Sequence, residues 1–368
     1  MDWQTMVEET MRTYAPMVDT TLWWPPPAAT ESPRQLPPAA QLHVRALDAR
    51  ESGALKGVFD QYWPAYRRWF LRPGSRTPAT LPASRRALAQ HMPELLPIWE
   101  ELVAQLEPDD EVAARFLSQW DPPPLTSNCS QAVLDDGRLI RNYDYDPALF
   151  DAVVLQSDWL RPVIGTSDQV WGLLDGMNDA GLIVSFTFGG RPDVGEGFGI
   201  PLVVRYILET CTTTAEAIQV LERVPIHVAY NVTISDAEGT SATVFVGPTR
   251  TAGVSSTRVT TNHQEHVHWP EHAERFLSVQ RLETLQRAVL DGSDVVDVML
   301  RPPMRADRFA DGFVTLYTAA YDRRRREVTY YWPDQEWTQS LDGLLDPSVD
   351  VDLRHSDTAG TRFVGAGA

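Results

Sequence analysis

The sequence is short of lysine, cysteine and long apolar runs, and each shortage excludes something. Lys56 is the sole lysine among 32 basic residues, and 50 acidic residues set the formal net charge at −18. That balance argues against nucleic acid or an anionic membrane surface as the main partner, because both are held through basic patches. The scarcity of lysine beside abundant arginine reads as base-composition bias, without chemical meaning. Two cysteines, Cys129 and Cys211, are too few for a disulfide framework, so a reducing cytoplasm is the expected location. No apolar run reaches the ~20 residues that span a bilayer. The opening stretch MDWQTMVEETMRTYAP has no basic segment followed by an apolar one and does not read as a secretory signal. A phosphate-binding glycine loop is missing too, since GFGIPL lacks the lysine and the strand-to-helix setting.

What is present is enough for a large core. With 43% hydrophobic residues in 368, the chain suits one large unit of helices and strands or two to three average domains. Residues 1–41, with TLWWPPPAATESPRQLPPAA, read as an irregular Pro- and Trp-rich arm. Residues 42–128 form a second segment, expected to be helical from Leu42 to Trp120. There ALKGVFDQYWPAYRRWFL, ALAQHMPELLPIWEELVAQL and DDEVAARFLSQW place apolar residues three and four apart. DPPPLTSN then stops the helical pattern. From 129 to 368 the period changes to short β-branched and aromatic runs such as RLIRNYDY, GLIVSFTF, SATVFVG and EVTYYW. Helices are expected at IPLVVRYILETC, at TTTAEAIQVLERV with Thr213 and Glu216 at capping-box spacing, and as one long helix starting at Pro270. Strands grouped apart from helices indicate an α+β layered fold.

One cysteine has telling neighbours. Cys129 sits in TSNCSQ, shortly before RNYDY, whereas Cys211 lies late in a helix among apolar residues and reads as packing. A thiol attacks carbonyl carbon as the thiolate and needs a base. A histidine brought in by folding is one source. The α-amine of Cys129 itself is another, once the bond from Asn128 is cut, with an unperturbed pKa of about 7.7–8.0. Arg141 and Asp144 would then suit an oxyanion or substrate and an ammonium. Three residues apart on an ideal strand, they face opposite ways, so their convergence calls for a bend. Cys129 is expected to alkylate in folded protein and Cys211 to stay protected.

Several blocks, NCSQ, RNYDY, DGMNDAGL, YNVT with its following Asp and Gly, and TTNHQ, occur in one order. In these the chain resembles the acyl-coenzyme A:isopenicillin N acyltransferase family of N-terminal-nucleophile (Ntn) hydrolases, peptidase C45-like. More distantly it is similar to choloylglycine hydrolases and penicillin V acylases. The resemblance covers residues 42–340. It implies a four-layer αββα sandwich of two antiparallel sheets, with an N-terminal helical segment. It implies Cys129 as nucleophile, its α-amine as base after self-cleavage at Asn128–Cys129, Asp144 beside that amine and Arg141 in the site. Asn262 becomes an oxyanion donor through its side-chain amide, with Thr187 at approximately the place of a second donor and His263 beside the substrate. The implied substrate is a small acyl amide or acyl thioester, with water or an amine as acceptor. No cofactor is implied; a coenzyme A thioester enters only as an acyl donor. A homodimer is compatible with this reading.

Two other classes stay open from the residues. One is a non-catalytic binding protein of the same fold with the Asn128–Cys129 bond intact. The other is a metal-binding protein using His263, His266, His268 and His272, although their spacing matches no standard metal set and Pro270 interrupts them. Asn178 and Gly181 read as turn formers. The run DRRRREV reads as a hairpin tip, with an anionic coenzyme A phosphate as the alternative use of its arginines.

Overall fold

A computed structural model describes residues 41–72, 79–107, 109–124, 128–309 and 313–354. The expected arm over 1–41 lies outside them except for Gln41. That residue opens a strand, β1 (Gln41–Asp48), where a helix was expected. The reason is legible in QLHVRALD: Leu42, Val44 and Ala46 are buried at every second position, the period of a strand. Four helices follow: α1 (Ala54–Phe70), α2 (Leu81–His91), α3 (Leu96–Leu106) and α4 (Glu111–Ser118). Asp110 caps α4 by accepting from Val112 N and Ala113 N. These helices bury Val58, Phe59, Phe70, Leu88, Phe116 and Leu117 in one cluster with strands from the rest of the chain. A fully buried aromatic or leucine contributes about 1.5–3 kcal/mol, which makes this segment integral to the core.

Next come β2 (Asn128–Val133), β3 (Leu139–Tyr145), β4 (Val153–Asp158), β5 (Pro162–Asp168), β6 (Gly172–Asn178) and β7 (Ile183–Phe188). Helices α5 (Ile200–Thr210) and α6 (Thr214–Arg223) follow, the latter opened by the expected Thr213–Glu216 capping box. Then come β8 (Tyr230–Ser235), β9 (Ser241–Val246), β10 (Gly253–Ser255) and β11 (Val259–Thr260). The expected long helix from Pro270 is two, α7 (Pro270–Arg275) and α8 (Ser278–Asp291), broken where Leu277 takes φ 52°. A short α9 (Val295–Met299) precedes β12 (Asp307–Arg308), β13 (Phe313–Asp322), β14 (Glu327–Trp332), β15 (Gln335–Ser340) and β16 (Ser348–Asp352).

The strands form two sheets. One runs β10-β9-β8-β7-β6-β5-β4-β1-β16, and the other β11-β2-β3-β13-β14-β15 with β12 on β13. All pairs are antiparallel, as expected, except β1 with β4, which is parallel. Helix α5 packs on β5, β6 and β7, helices α8 and α9 cover β2, β3 and β13, and β2 contacts β7 across the sheet interface. The layers are therefore helix, sheet, sheet, helix. Asn178 makes the expected turn, its Oδ1 accepting from Ala180 N and Leu182 N while Nδ2 donates to Leu208 and Cys211 carbonyls. The arginine run is the expected tip between β13 and β14. Arg323 donates to Gly137 O and Ser235 Oγ, while Arg325 and Arg326 pair with Glu327 and Asp342. These partners give the arginines work within the protein.

Candidate active site

Strands β2 and β3 pair with Cys129 opposite Tyr143 and Asn128 opposite Asp144. Alternation along each strand sends Cys129, Arg141 and Tyr143 between the sheets, while Ser130, Asn142 and Asp144 face α8 and α9. The bend expected to unite Arg141 with Asp144 is therefore absent. The two approach Cys129 from opposite sides of the strand layer.

On the inner side, Arg141 Nη2 donates to Cys129 Sγ at 3.2 Å. Its Nη1 reaches Asp175 Oδ2 at 2.9 Å, Ser185 Oγ at 3.2 Å and the Leu174 carbonyl. The guanidinium lies over the Tyr143 and Phe186 rings at 5.0 and 5.3 Å. Burial opposes its charge, but Tyr317, Cys129 and Asp175 outweigh that and hold its pKa above the ordinary arginine value. Asp175 also accepts from Tyr317, Tyr321 and Thr166 at 2.6, 2.5 and 2.7 Å. A cation so fixed at sulfur favours thiolate over thiol.

On the outer side, Cys129 N donates to Asn262 Oδ1 at 3.2 Å. Arg281, from α8, donates to that same Oδ1, to Asp144 Oδ2 at 3.0 Å and to Ser130 Oγ at 3.0 Å. Its Nε takes the Phe276 carbonyl left open by the break between α7 and α8. Asp144 thus joins the backbone nitrogen of Cys129 through Arg281 and Asn262, and accepts from Thr315 Oγ1 at 2.6 Å as well. Burial raises its pKa from the ordinary 3.8 to about 6, against the pull of Arg281 and Thr315. Burial likewise lowers Arg281, against the opposing charges of Asp144 and Cys129.

Arg281 was not among the residues singled out from the sequence. Its signal was there: it shares the buried face of α8 with Leu285 and Ala288, four and seven positions on, where a charge is out of place. Asp175, fully buried inside a strand, is the other residue missed.

Asn262 lies just past β11, its backbone N bonded to Ser278 Oγ at 2.9 Å and its Nδ2 reaching Phe188 O at 3.4 Å. Thr187 bonds Thr261 and Asn231. Its hydroxyl donates to Thr261 O at 2.7 Å and accepts from Asn231 Nδ2 at 3.0 Å, so its one hydrogen is committed. His263 bonds Ser278 Oγ through Nδ1 at 2.8 Å, and burial with Arg281 nearby lowers its pKa. Among the described residues no three His, Cys, Asp or Glu side chains come close enough to share a metal ion. His272 is instead buried against Phe188 and Phe276, its pKa depressed to about 3 mainly by burial. Cys129 has no solvent exposure and Cys211 is 3% exposed, so the expected difference in alkylation does not hold for this uncut chain.

The sequence over residues 133–337 matches the family described as acyl-coenzyme A:6-aminopenicillanic acid acyl-transferase, more than half of the chain. The chain belongs to this family. The matched range of the acyl-transferase carries Arg141, Asp144, Asp175, Asn262 and Arg281 and begins four residues beyond Cys129. Membership makes it an enzyme of acyl transfer. No curated protein matches its sequence. Among solved structures it is similar to penicillin V acylase from Agrobacterium tumefaciens, at 14% identity and TM-score 0.43, over 58% of this chain and 86% of that one. It is similar to a mutant conjugated bile acid hydrolase from Clostridium perfringens at 12% identity and TM-score 0.41, over 64% and 99% of the two chains. A Caenorhabditis elegans ortholog of N-acylethanolamine-hydrolyzing acid amidase gives 14%, 0.38, 53% and 92% in the same order. Among the described residues no helix is long and apolar enough to cross a membrane.

Proposed function

We propose that this acyl-transferase works through an acyl-Cys129 intermediate, with the α-amine of Cys129 as its base. One observation carries the reading: Arg141 holds the sulfur of Cys129 while Asn262 and, through it, Arg281 and Asp144 hold its backbone nitrogen. A buried strand residue with both its thiol and its nitrogen provided for is suited to use both. In the first event, Sγ attacks the Asn128 carbonyl carbon, the peptide C–N bond breaks, and the freed nitrogen takes the thiol proton. Water then cleaves the thioester, leaving Asn128 as a carboxylate and Cys129 as a free thiol with an α-amine.

In turnover the amine takes the proton from sulfur, and the thiolate adds to the carbonyl of an acyl amide or a coenzyme A thioester. Asn262 Nδ2, whose bond to Phe188 O is long, donates to the oxyanion. The leaving amine or thiolate departs with the proton from the ammonium. Water completes hydrolysis; an amine completes transfer. Asp144, with Arg281, keeps the ammonium oriented. The test is intact mass under denaturing conditions beside turnover of an acyl amide. Wild-type protein should give fragments of 128 and 240 residues, by cutting 368 after Asn128, and Cys129→Ala should stay whole and inactive. Active protein that remains a single chain would refute the α-amine as base.

A further inference from the structure

The residue before Cys129 is as unusual in its place as the cysteine. Asparagine is depleted in strands, yet Asn128 opens β2. It is 3% exposed, and alternation puts its side chain on the face of Ser130 and of Asp144, its cross-strand partner. Asn128 Oδ1 is buried without a partner, and among the described residues no hydrogen bond engages its Nδ2.

The other four asparagines are held. Asn142 Nδ2 donates to the Met299 and Met304 carbonyls, and Asn178 Nδ2 to those of Leu208 and Cys211. Asn231 Nδ2 donates to Thr187 Oγ1 and to the Thr261 and His263 carbonyls, and Asn262 Nδ2 to Phe188 O. Leaving a buried amide unmatched costs stability. Here that cost falls on the residue whose own carbonyl carbon the thiol is to attack.

Once Sγ has taken the Asn128 acyl group, the loose amide and the thioester carbonyl belong to one residue. Attack by Nδ2 closes a ring of Cα, Cβ, Cγ, Nδ2 and the carbonyl carbon. An amide nitrogen is a weak nucleophile, but a well-oriented intramolecular one gains an effective molarity of about 10⁵–10⁸ M. Water has no such advantage where the two residues of the bond are 3% and 0% exposed. Arg141 Nη2, at 3.2 Å from Sγ, also favours departure of the sulfur as thiolate.

We propose that Asn128 Nδ2, in place of water, releases the self-cleavage thioester by closing on its own carbonyl carbon, so that the N-terminal fragment ends in a cyclic imide. The bond formed is Nδ2–C and the bond broken is C–Sγ. Nδ2 gives one hydrogen to the freed Cys129 amine, and the sulfur leaves as thiolate. Cys129 therefore emerges as the ammonium–thiolate pair that turnover uses, and no other reagent is consumed. This rests on the proposed function and alters only the second step of its cut.

The test is the mass of the 128-residue fragment from wild-type protein, denatured in acid to preserve the ring. It should be lighter by one water than the fragment ending in a carboxylate. Left in mild alkali, the ring should open partly to a C-terminal isoasparagine, an α-amide that direct hydrolysis cannot make and that tandem mass spectrometry reads. Asn128→Ala lacks the nucleophile and should be cut at least about tenfold more slowly. Hydroxylamine should release its stalled thioester as a hydroxamate. A wild-type fragment ending only in asparagine, with neither imide nor isoasparagine, overturns the cyclisation and leaves the proposed function standing. So does Asn128→Ala cut at the wild-type rate. An imide-ended fragment from protein that turns over no acyl amide supports the cyclisation and overturns the proposed function. Active protein that remains a single chain overturns both.

Discussion

Two buried arginine–carboxylate pairs flank one strand, and they are built differently. Between the sheets, Arg141–Asp175 is enclosed by donors and acceptors: two tyrosines and a threonine on the carboxylate, a carbonyl and a serine on the guanidinium. Between sheet and helix, Arg281–Asp144 has fewer supports, and both members shift toward neutrality, Asp144 upward to about 6 and Arg281 downward. The contrast matches what the proposed function asks of each side. The thiol side needs a fixed charge, because sulfur is to be held as thiolate. The nitrogen side needs a group that tolerates a change of protonation, because an amide nitrogen there is to become an ammonium.

The largest effect should come from breaking the fixed pair. Arg141→Met leaves Asp175 buried without its cation and should cost about 3–5 kcal/mol in urea unfolding. Arg281→Met should cost less, about 1–3 kcal/mol, since Asp144 can take up a proton. Equal losses would erase the contrast. Next, Asn262→Ala removes the proposed oxyanion donor, a group worth about 2.7–4 kcal/mol, and should slow kcat at least about a hundredfold with far-UV circular dichroism unchanged.

The soft pair can be read from pH. The folded state binds the Asp144 proton more tightly than the unfolded chain, so this group lowers stability as pH rises from about 4 to about 6 and adds no further change above that. The wild-type minus Asp144→Asn difference in unfolding free energy should fall by about 3 kcal/mol across that window. A flat difference would mean that Asp144 stays ionised throughout. The smallest effect is expected at the other thiol. Cys211 ends α5 and serves Asn178 and Arg161 through its backbone carbonyl, so Cys211→Ala should cost about 1 kcal/mol or less and leave turnover intact.

Much of this was legible in the residues, for identifiable reasons. Capping at Thr213, the turn at Asn178 and the hairpin around Arg323–Arg326 are local, and local chemistry decides them. The blocks around Cys129, Arg141, Asp144 and Asn262 could be recognised because their order along the chain survives in sequence. What could not be read was the third dimension of the site. Arg141 and Asp144 work from opposite faces, and only the packing of α8 shows that Arg281 joins them. The lesson of β1 is similar. Its alternation was short and lay beside strong helical periods, and its place was set by β4 and β16, which lie far along the chain. That the Thr187 hydroxyl donates to Thr261 O likewise shows only in the fold.

The position of β1 has one more consequence. It precedes Cys129, yet it lies between β4 and β16, which follow it, so the proposed cut at Asn128 would divide a sheet between two polypeptides. The product would behave as a split protein. Alone, the longer piece exposes the open flanks of β4 and β16, and the shorter one carries a strand with nothing to join, both of them invitations to aggregate. Made together from separate messages, the two pieces hold complementary edges and should find each other without the bond that once joined them.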